Sequence, residues 1–600
     1  MKIKNIAIIA HVDHGKTTLV NKLIESSIED DHTKIADRAM DSNDIERERG
    51  ITILAKNTSI IYKNTKINIL DTPGHADFGG EVERIMHMVD GCLLVVDAFE
   101  GVMPQTRFVL QKALDKGVKP IVVINKIDRL NANPQKALNE VYDLFIDLGA
   151  TLEQLDFKVL YGSAIIGKMS DSPDLEHNNG VSKLFDTIVS EIKDANGNLE
   201  KPFLFQPALI EYNSFVGRMG VGKIISGKVS VGDNLSCIRN DGEITNFRVQ
   251  KIYQNIGLDK EEVKEAIAGD IVSIAGLSDV GVGETITKVG NLERLPKIDI
   301  GMPTVEIQFQ TNTSPFAGLE GSFVTSTKLE ERLFLEAEKD VSLKVEKDSS
   351  KDTWIVSGRG ELHLSILIEN MRREGYEFQV SNAKVVFIKE DGVLLEPYEE
   401  VQIDLPIETS GSVIEVLGQR GGELTGIENI NNYSKINYIM PSRGLIGFMT
   451  QFLTLTKGYG IINHRFLEYR KTSKINATER KNGALISLNN GTSTEYALNR
   501  LEDRGLMFVE PRTKVYEGMI VGENNKSNDL VVNITQEKQL NNIRQANKDQ
   551  TVVLKKAKIM NLEESLSFIN DDELVEITPK SIRIRKRFLK EHERKKLSKV

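Results

Sequence analysis

Residues 6–17 read Ile-Ala-Ile-Ile-Ala-His-Val-Asp-His-Gly-Lys-Thr, an apolar strand, a polar loop ending in Gly-Lys-Thr, and then a helical pattern. No other stretch restricts the fold as strongly. A strand that turns directly into a helix points the first N–H groups of that helix, and the positive end of its dipole, at an anion in the loop. The pattern is that of a phosphate-binding loop, with Ala10 where the general form has its first glycine. Alanine serves there wherever φ stays negative. Gly15 lets the backbone approach a phosphate, Lys16 neutralises β- and γ-phosphate oxygens, and Thr17 offers Mg²⁺ a hard oxygen. Asp13, His14, Gly15, Lys16, Thr17 and Thr18 form the expected nucleotide-binding set of this segment.

Three further motifs follow apolar runs. Asp71-Thr72-Pro73-Gly74-His75 comes after Ile67–Leu70, Asn125-Lys126-Ile127-Asp128 closes Ile121–Asn125, and Ser163-Ala164 comes after Phe157–Tyr161. Open α/β sheets bind ligands at the C-terminal ends of their strands, so all four motifs are expected on one edge. Asp71 can reach the water shell of Mg²⁺, Gly74 can present an N–H to the γ-phosphate, and His75 is the candidate for orienting the attacking water. Asp128 can accept from N1–H and the exocyclic amine of guanine, a pair of donors that adenine lacks. Losing a charged partner of this kind costs about 1.5–3 kcal/mol, enough to separate GTP from ATP by tens-fold. A backbone N–H of Ser163-Ala164 can meet the guanine oxygen. Gly74, Asn125, Lys126, Asp128, Ser163 and Ala164 complete the expected nucleotide site, with Thr17, Thr52 and Asp71 as metal ligands. Residues 25–50 are polar and lack a core face, which reads as a long mobile loop. Inside the mobile loop, Arg49-Gly50-Ile51-Thr52 supplies the Thr52 hydroxyl, suited to close over Mg²⁺ and γ-phosphate and to be released after hydrolysis.

The 600 residues leave room for several domains. Strands and helical patterns alternate over residues 1–200, as in a mainly parallel sheet covered on both faces. Over residues 201–300, Gly217, Gly220, Gly222, Gly227, Gly232 and Gly242 punctuate β-rich runs, as in a small antiparallel β-barrel. Two stretches, Thr304–Val380 and Glu399–Tyr469, share the order strand–helix–strand–strand–helix–strand and read as ferredoxin-like βαββαβ sandwiches. Their second helices carry Leu364, Leu367, Ile368 and Met371, and Leu445, Phe448, Met449 and Phe452, each set one apolar face that reads as core. The expected modules are 1–200, 201–300, 301–395, 396–480 and a mixed C-terminal region, 481–600.

No stretch approaches the ~18 apolar residues of a spanning helix, which argues against a membrane protein. Cys92 and Cys237 cannot build a disulfide framework or a four-cysteine zinc site, and a cytoplasmic location is expected. The net charge of −10 argues against bulk nucleic-acid binding. The basic balance is local: Lys580–Val600 holds ten Lys+Arg against two Glu.

Ala10–Thr17, Arg49–Thr52 and Asp71–His75 together resemble the ribosome-associated translational GTPases. That resemblance implies that His75 is the catalytic histidine, that Val12 and Ile51 form an apolar gate beside it, and that Asp13 helps hold a monovalent cation near the phosphates. Gly217–Asp233 resembles the second domain of those factors, and the two βαββαβ units resemble the third and fifth domains of elongation factor G. Asn125 to Ser163 leaves no room for the subdomain inserted in elongation factor G. Lys384–Glu396 passes almost directly from one unit to the next, without the translocase's fourth domain. This layout, with Glu510–Lys514 and Asn541–Val553, resembles the BipA/TypA family.

The resemblance implies GTP/GDP and Mg²⁺ as ligands, and a ribosomal partner at the factor-binding site, with tRNA a further candidate. It also implies support of large-subunit assembly and of growth under cold or other stress, and a chain that is monomeric when free. With such a partner, Arg583-Ile584-Arg585-Lys586-Arg587 reads as an arm that contacts RNA phosphates. The expected activity is GTP hydrolysis by a ribosome-stimulated switch. A translocase-like elongation factor and a nucleotide-stabilised ribosome-binding scaffold are the alternatives.

Overall fold

The structure, a computed structural model, describes residues 1–11, 14–27, 44–49, 56–73, 79–173, 180–195, 197–213, 215–257, 259–298, 302–349, 352–430, 433–472, 480–537 and 554–597. The chain divides into two compact units, one comprising essentially Met1–Gly301 and the other most of the chain beyond it.

The first unit opens with β1 (Lys2–Ala10), α1 (Lys16–Ser27), α2 (Asp44–Arg49), β2 (Lys56–Tyr62), β3 (Thr65–Asp71), α3 (Gly79–Met86) and β4 (Gly91–Asp97). It continues with α4 (Pro104–Asp115), β5 (Lys119–Asn125), α5 (Pro134–Asp147), α6 (Leu152–Leu155), β6 (Lys158–Ser163), β7 (Lys168–Ser170) and α7 (Ser182–Glu191). The sheet order is β2-β3-β1-β4-β5-β6-β7. Strands β3, β1, β4, β5 and β6 run parallel, with β2 and β7 antiparallel at the edges. Successive side chains of a strand point to opposite faces. Ile6, Ile8, Leu93, Val95, Ile121 and Val123 therefore pack with α1 and α7, while Ala7, Ile9, Leu94, Val96, Val122 and Ile124 pack with α3, α4 and α5. Burial on both faces is why these strands are continuous apolar runs rather than alternating ones. Helix α5 begins at Pro134, which has no N–H to orphan, and Asn133 caps it by accepting from the Lys136 N–H at 3.0 Å.

The loop expected over residues 25–50 is shorter than the polar composition suggested. Helix α1 runs through Ser27, and α2 occupies Asp44–Arg49. Ile45 is buried, and buried Glu46 pairs with Lys56 Nζ at 2.8 Å, so two residues in the polar run do have an inward face. Residues 28–43 lie outside the described residues.

Lys228–Ser230 pairs with Glu265–Ile267 on its own, and among the described residues the other strands of 204–288 form an eight-stranded antiparallel sheet. Its order is Ile244–Arg248, Asn234–Ile238, Thr285–Lys288, Leu204–Asn213, Gly217–Ser226, Ile271–Ala275, Lys251–Ile256 and Asp259–Val263. It is fastened to the parallel sheet by polar and apolar contacts. Lys66 Nζ lies 2.8 Å from Asp270, Asn5 donates to the Gly269 carbonyl at 2.9 Å, and Asn68 donates to both Asn5 and Asp270. Ala208, Val221, Ile271 and Val282 join the core beneath α3 and α4.

In the second unit, strand Val305–Thr311, helix Ser326–Lys339, strands Lys344–Lys347 and Thr353–Gly358, helix Glu361–Arg373 and strand Phe378–Val380 follow the expected order. The strands lie second-third-first-fourth across the sheet. The same order recurs with Val393–Pro406, Glu423–Ile430, Tyr433–Pro441 and Ile461–Lys471. The boundary expected at 395/396 falls inside strand Val393–Pro406.

The apolar stripe at Leu445–Phe452 is not one helix. Ser442–Leu445 and Phe448–Leu455 are separate, and Gly447 between them has φ +66°. The Gly447 N–H donates to Glu361 at 2.9 Å, and the Arg420 guanidinium donates to the Gly444 and Ile446 carbonyls. Those side chains satisfy the backbone groups released by the break.

The C-terminal region is not a separate layer. Phe378–Val380 pairs with Glu573–Ile577, which pairs in turn with Ile582–Lys586. The sheet then continues through Met519–Asn524 and Ala484–Ser487, giving eleven strands among the described residues. The basic run expected to form an RNA-contacting arm is thus an interior strand. Arg585 and Lys586 are 3% and 2% exposed. Arg583 pairs with Glu320 and Glu576, and Lys586 with Asp529, Asp572 and Glu573. A run of cations in sequence says nothing of the carboxylates that the fold brings to it from other strands.

Glu573 is fully buried and holds two cations, Arg480 through two 3.0 Å bonds and Lys586 at 2.9 Å. Removing one partner of a buried pair strands the other charge. Glu573→Ala is expected to cost about 3–5 kcal/mol. Urea unfolding followed through Trp354, the single tryptophan and buried in the same sheet, measures it.

Candidate nucleotide site

Strands β1, β3, β5 and β6 end at Ala10, Asp71, Asn125 and Ser163, and their parallel registers bring the four motifs to one edge. Asp13, Thr52, Gly74 and His75, with Val12 and Ile51, lie outside the described residues.

Gly15 has φ +91°, and a Cβ there would lie 2.4 Å from Asn125 Nδ2, so conformation and space both call for glycine. The reason for the closeness is the Asn125 carboxamide. Its Nδ2 donates to the His14 carbonyl at 2.8 Å, and its Oδ1 accepts the Ala164 N–H at 2.9 Å. One buried side chain therefore ties the phosphate loop to the Ser163-Ala164 turn. The Ala164 N–H, one of the two backbone donors of Ser163-Ala164 considered for the guanine oxygen, is part of this brace. Buried Ser163 shapes the turn, accepting weakly from the Ile166 N–H at 3.4 Å.

Lys16 opens α1, and its ammonium lies 2.7 Å from Asp71 and donates to the Thr72 carbonyl at 3.3 Å. The Thr72 hydroxyl donates to the Ile8 carbonyl at 2.7 Å and fixes the exit of β3 beside β1. Thr17 and Thr18 follow in the first turn of α1, both half-buried. The Thr17 hydroxyl and the buried Asp71 carboxylate are hard oxygen donors of the kind Mg²⁺ takes, so these residues fit the ion.

His14 is fully buried, with Nδ1 3.4 Å from the Val95 carbonyl and Nε2 3.6 Å from Glu100. Burial, and then the neighbouring His11, pull the imidazole down to about 4 despite the opposing field of Asp97. It is neutral at ordinary pH.

On the base side, Asp128 is exposed and Lys126 has φ +59°. Lys126 Nζ lies 2.9 Å from Asp97 at the end of β4. Asp97 belongs to none of the four sequence motifs. Its signal was available, because a carboxylate closing the apolar run Leu93–Asp97 falls on the same edge as the four motifs. Burial raises the Asp97 pKa, but the hydrogen bonds from Lys126 and the Phe99 N–H outweigh it and hold the carboxyl below the usual range.

The depressed His14 pKa has a definite consequence. The unfolded chain takes up this proton near pH 6.5, whereas the folded chain resists until about pH 4. Within that window the unfolded state binds more protons, so stability falls as the pH falls. A loss on the order of 3 kcal/mol is expected between these limits. His14→Asn is expected to flatten it, as read from hydrogen exchange of the β1 amides over the same range.

Comparison with known proteins matches five family models in succession. They are the Elongation factor Tu GTP binding domain over residues 1–194, Elongation factor G domain 2 over 208–289 and Elongation Factor G, domain III over 323–382. The Elongation factor G C-terminus follows over 393–480 and the TypA/BipA C-terminal domain over 482–591. Only residues 383–392 lie between the third and fourth matches. The chain is 54% identical over 599 residues to the Large ribosomal subunit assembly factor BipA of Bacillus subtilis, covering 100% of this chain and 98% of that one. It is 48% identical to the proteins of that name in Synechocystis (98% of each chain) and in Escherichia coli (100% and 99%). A crystal structure from Thermus thermophilus superposes with a TM-score of 0.53 over 79% of this chain and 98% of that one. At 17% identity that likeness concerns the fold alone. A GTP-binding domain, elongation factor G-like modules and the distinctive C-terminal domain, all shared with relatives over essentially their whole length, make this chain a member of the BipA/TypA family of translational GTPases.

Proposed function

We propose that this chain is a GTP hydrolase that works as a ribosome-bound switch and supports assembly of the large ribosomal subunit, and translation under cold or other stress. The observation that carries the reading is the end-to-end identity with relatives named as large-subunit assembly factors. In this reading the modules are 1–200, a β-barrel over 201–300, two ferredoxin-like units over 301–395 and 396–480 whose common boundary falls within one strand, and 481–600.

In the nucleotide site Lys16 exchanges its ion pair with Asp71 for β- and γ-phosphate oxygens, and Gly15 and Gly74 offer N–H groups to them. Thr17, Asp71 and Thr52 hold Mg²⁺, which when bound offsets the charge of those oxygens. Asp13 serves a monovalent cation nearby. Lys126 and Asp128 read guanine. His75 orients the water that attacks the γ-phosphorus as the bond to the β–γ bridging oxygen breaks, leaving GDP and phosphate. Phosphoryl transfer depends on positioning, so turnover is slow until the ribosome orders Thr52 and His75. The partner surface is ribosomal RNA and protein near the factor-binding site, with tRNA a further contact, and the free chain is a cytoplasmic monomer.

GTP turnover with and without purified ribosomes tests the reading. A large acceleration is expected, and His75→Ala should abolish most of it while GTP affinity persists. Turnover indifferent to ribosomes would remove the partner; stimulation that survives in the variant would remove the role of His75. Separately, Asp128→Asn should exchange guanine for xanthine preference, since an amide offers one donor and one acceptor. Competition binding with GDP and xanthosine diphosphate reads the exchange, and retained guanine preference would count against base reading by Asp128.

A further inference from the structure

Asp97 ends β4 fully buried, and its carboxylate gathers cations from both sides of Asp128. Its Oδ2 lies 2.9 Å from Lys126 Nζ and 2.8 Å from Arg129 Nη1, while Oδ1 accepts the Phe99 N–H at 2.8 Å. Arg129 also reaches Glu100 at 3.2 Å and lies over the Phe99 ring. In sequence the two cations bracket Asp128, one two residues before it and the other immediately after. The turn between them is closed by Arg129 N–H donating to the Lys126 carbonyl at 3.0 Å, with Lys126 in a left-handed conformation that L side chains rarely adopt. Such a conformation persists only when its surroundings hold it. Asp128, in the middle, is exposed and forms no ion pair among the described residues.

We propose that Asp97 is the positioning residue of the base-recognition turn: by holding Lys126 and Arg129 on one buried carboxylate, it keeps Asp128 uncompensated and available to a nucleobase that offers two adjacent N–H donors, and so sets base specificity without touching the ligand. The inference rests on the guanine-nucleotide reading above and extends it to a residue outside the recognised motifs. The electrostatic logic is one of competition. Without a charge at position 97, two cations next to Asp128 lose their buried counter-charge, and Asp128 becomes a carboxylate within their reach. A base would then have to displace them, and the turn would also lose the bond that fixes the Lys126 backbone.

The experiment measures affinities of the full-length chain for GDP, inosine diphosphate and ADP by titration calorimetry. Inosine lacks the exocyclic amine and offers Asp128 only one of the two donors. The unaltered chain should bind GDP more tightly than inosine diphosphate, and both more tightly than ADP. Asp97→Asn keeps an acceptor for the Phe99 N–H but removes the charge. It should weaken GDP by about tenfold, the scale of a lost charge-assisted bond, and inosine diphosphate by much less, so the ratio between the two contracts. Asp97→Asn combined with Arg129→Gln, whose side chain is half-exposed, leaves one released cation beside Asp128 instead of two; it should contract the ratio in the same direction by a smaller factor and decides the matter if Asp97→Asn alone does not fold. Equal weakening of both nucleotides would make Asp97 merely structural and overturn the proposal, as would an unchanged GDP affinity. If the unaltered chain fails to separate GDP from ADP, the guanine reading itself falls and this proposal with it. If it separates them and the variants leave the ratio intact, only the proposal falls.

Discussion

The carboxamide of Asn125 is the contact on which the nucleotide site depends. It stands at the end of the interior strand β5, already immobilised by parallel neighbours on either side, and uses both its donor and its acceptor on backbone groups of two other segments. His14 and Ala164 both lie outside the strands, Ala164 in the turn of the β6–β7 hairpin. Bonding both to one buried side chain converts the rigidity of the sheet into rigidity of the loops. Gly15 is the complement of that arrangement, since the space a side chain would fill is taken by the amide nitrogen. A buried carboxamide is costly unless every group is satisfied, and here its oxygen and nitrogen each have a partner.

Charge is used differently in the two units. In the first, Asp270 accepts from Lys66, Asn68 and Gln254 in a nearly dry seam between the parallel sheet and the antiparallel sheet that follows. In the second, Glu573 and Glu576 sit on one strand of a long sheet and collect Arg480, Lys586, Arg583, Asn312, Ser314 and Tyr516. Each carboxylate has several donors, which is what makes its burial bearable. Such groups restrict which strands can neighbour which more sharply than apolar side chains do, because a slipped register would leave a charge without a partner.

Much of this was legible in the sequence where a local rule sufficed. Strand–loop–helix with Gly-Lys-Thr, motifs at the ends of apolar runs, and helical stripes at 3.6-residue spacing each follow from a few neighbouring residues. Sequence and structure part where the deciding group belongs to another element. Ile45 and Glu46 looked solvated because Lys56 and the core they meet come from other elements. The Leu445–Phe452 stripe looked like one helix because the partners of its broken turn, Arg420 and Glu361, lie dozens of residues upstream. Arg583–Arg587 looked like a free basic arm because its carboxylates belong to Glu320, Asp529, Glu573 and Glu576. Asp97 was overlooked for a related reason. A single carboxylate after valines carries no motif, and its meaning comes from the two cations that a separate strand delivers to it.

The long sheet of the second unit also bears on how the chain is made. Phe378–Val380 pairs with a strand that leaves the synthesis machinery roughly two hundred residues later. Until then, that side of the Val305–Val380 sheet presents open N–H and C=O groups, the kind of margin on which other chains can polymerise. The strands that seal it, Glu573–Ile577 and Ile582–Lys586, are among the last to emerge and carry the charged groups that specify their seat. The second unit therefore closes late and from its C-terminal side, and a nascent chain stalled before residue 573 would hold an unsealed edge however completely its GTP-binding domain had folded.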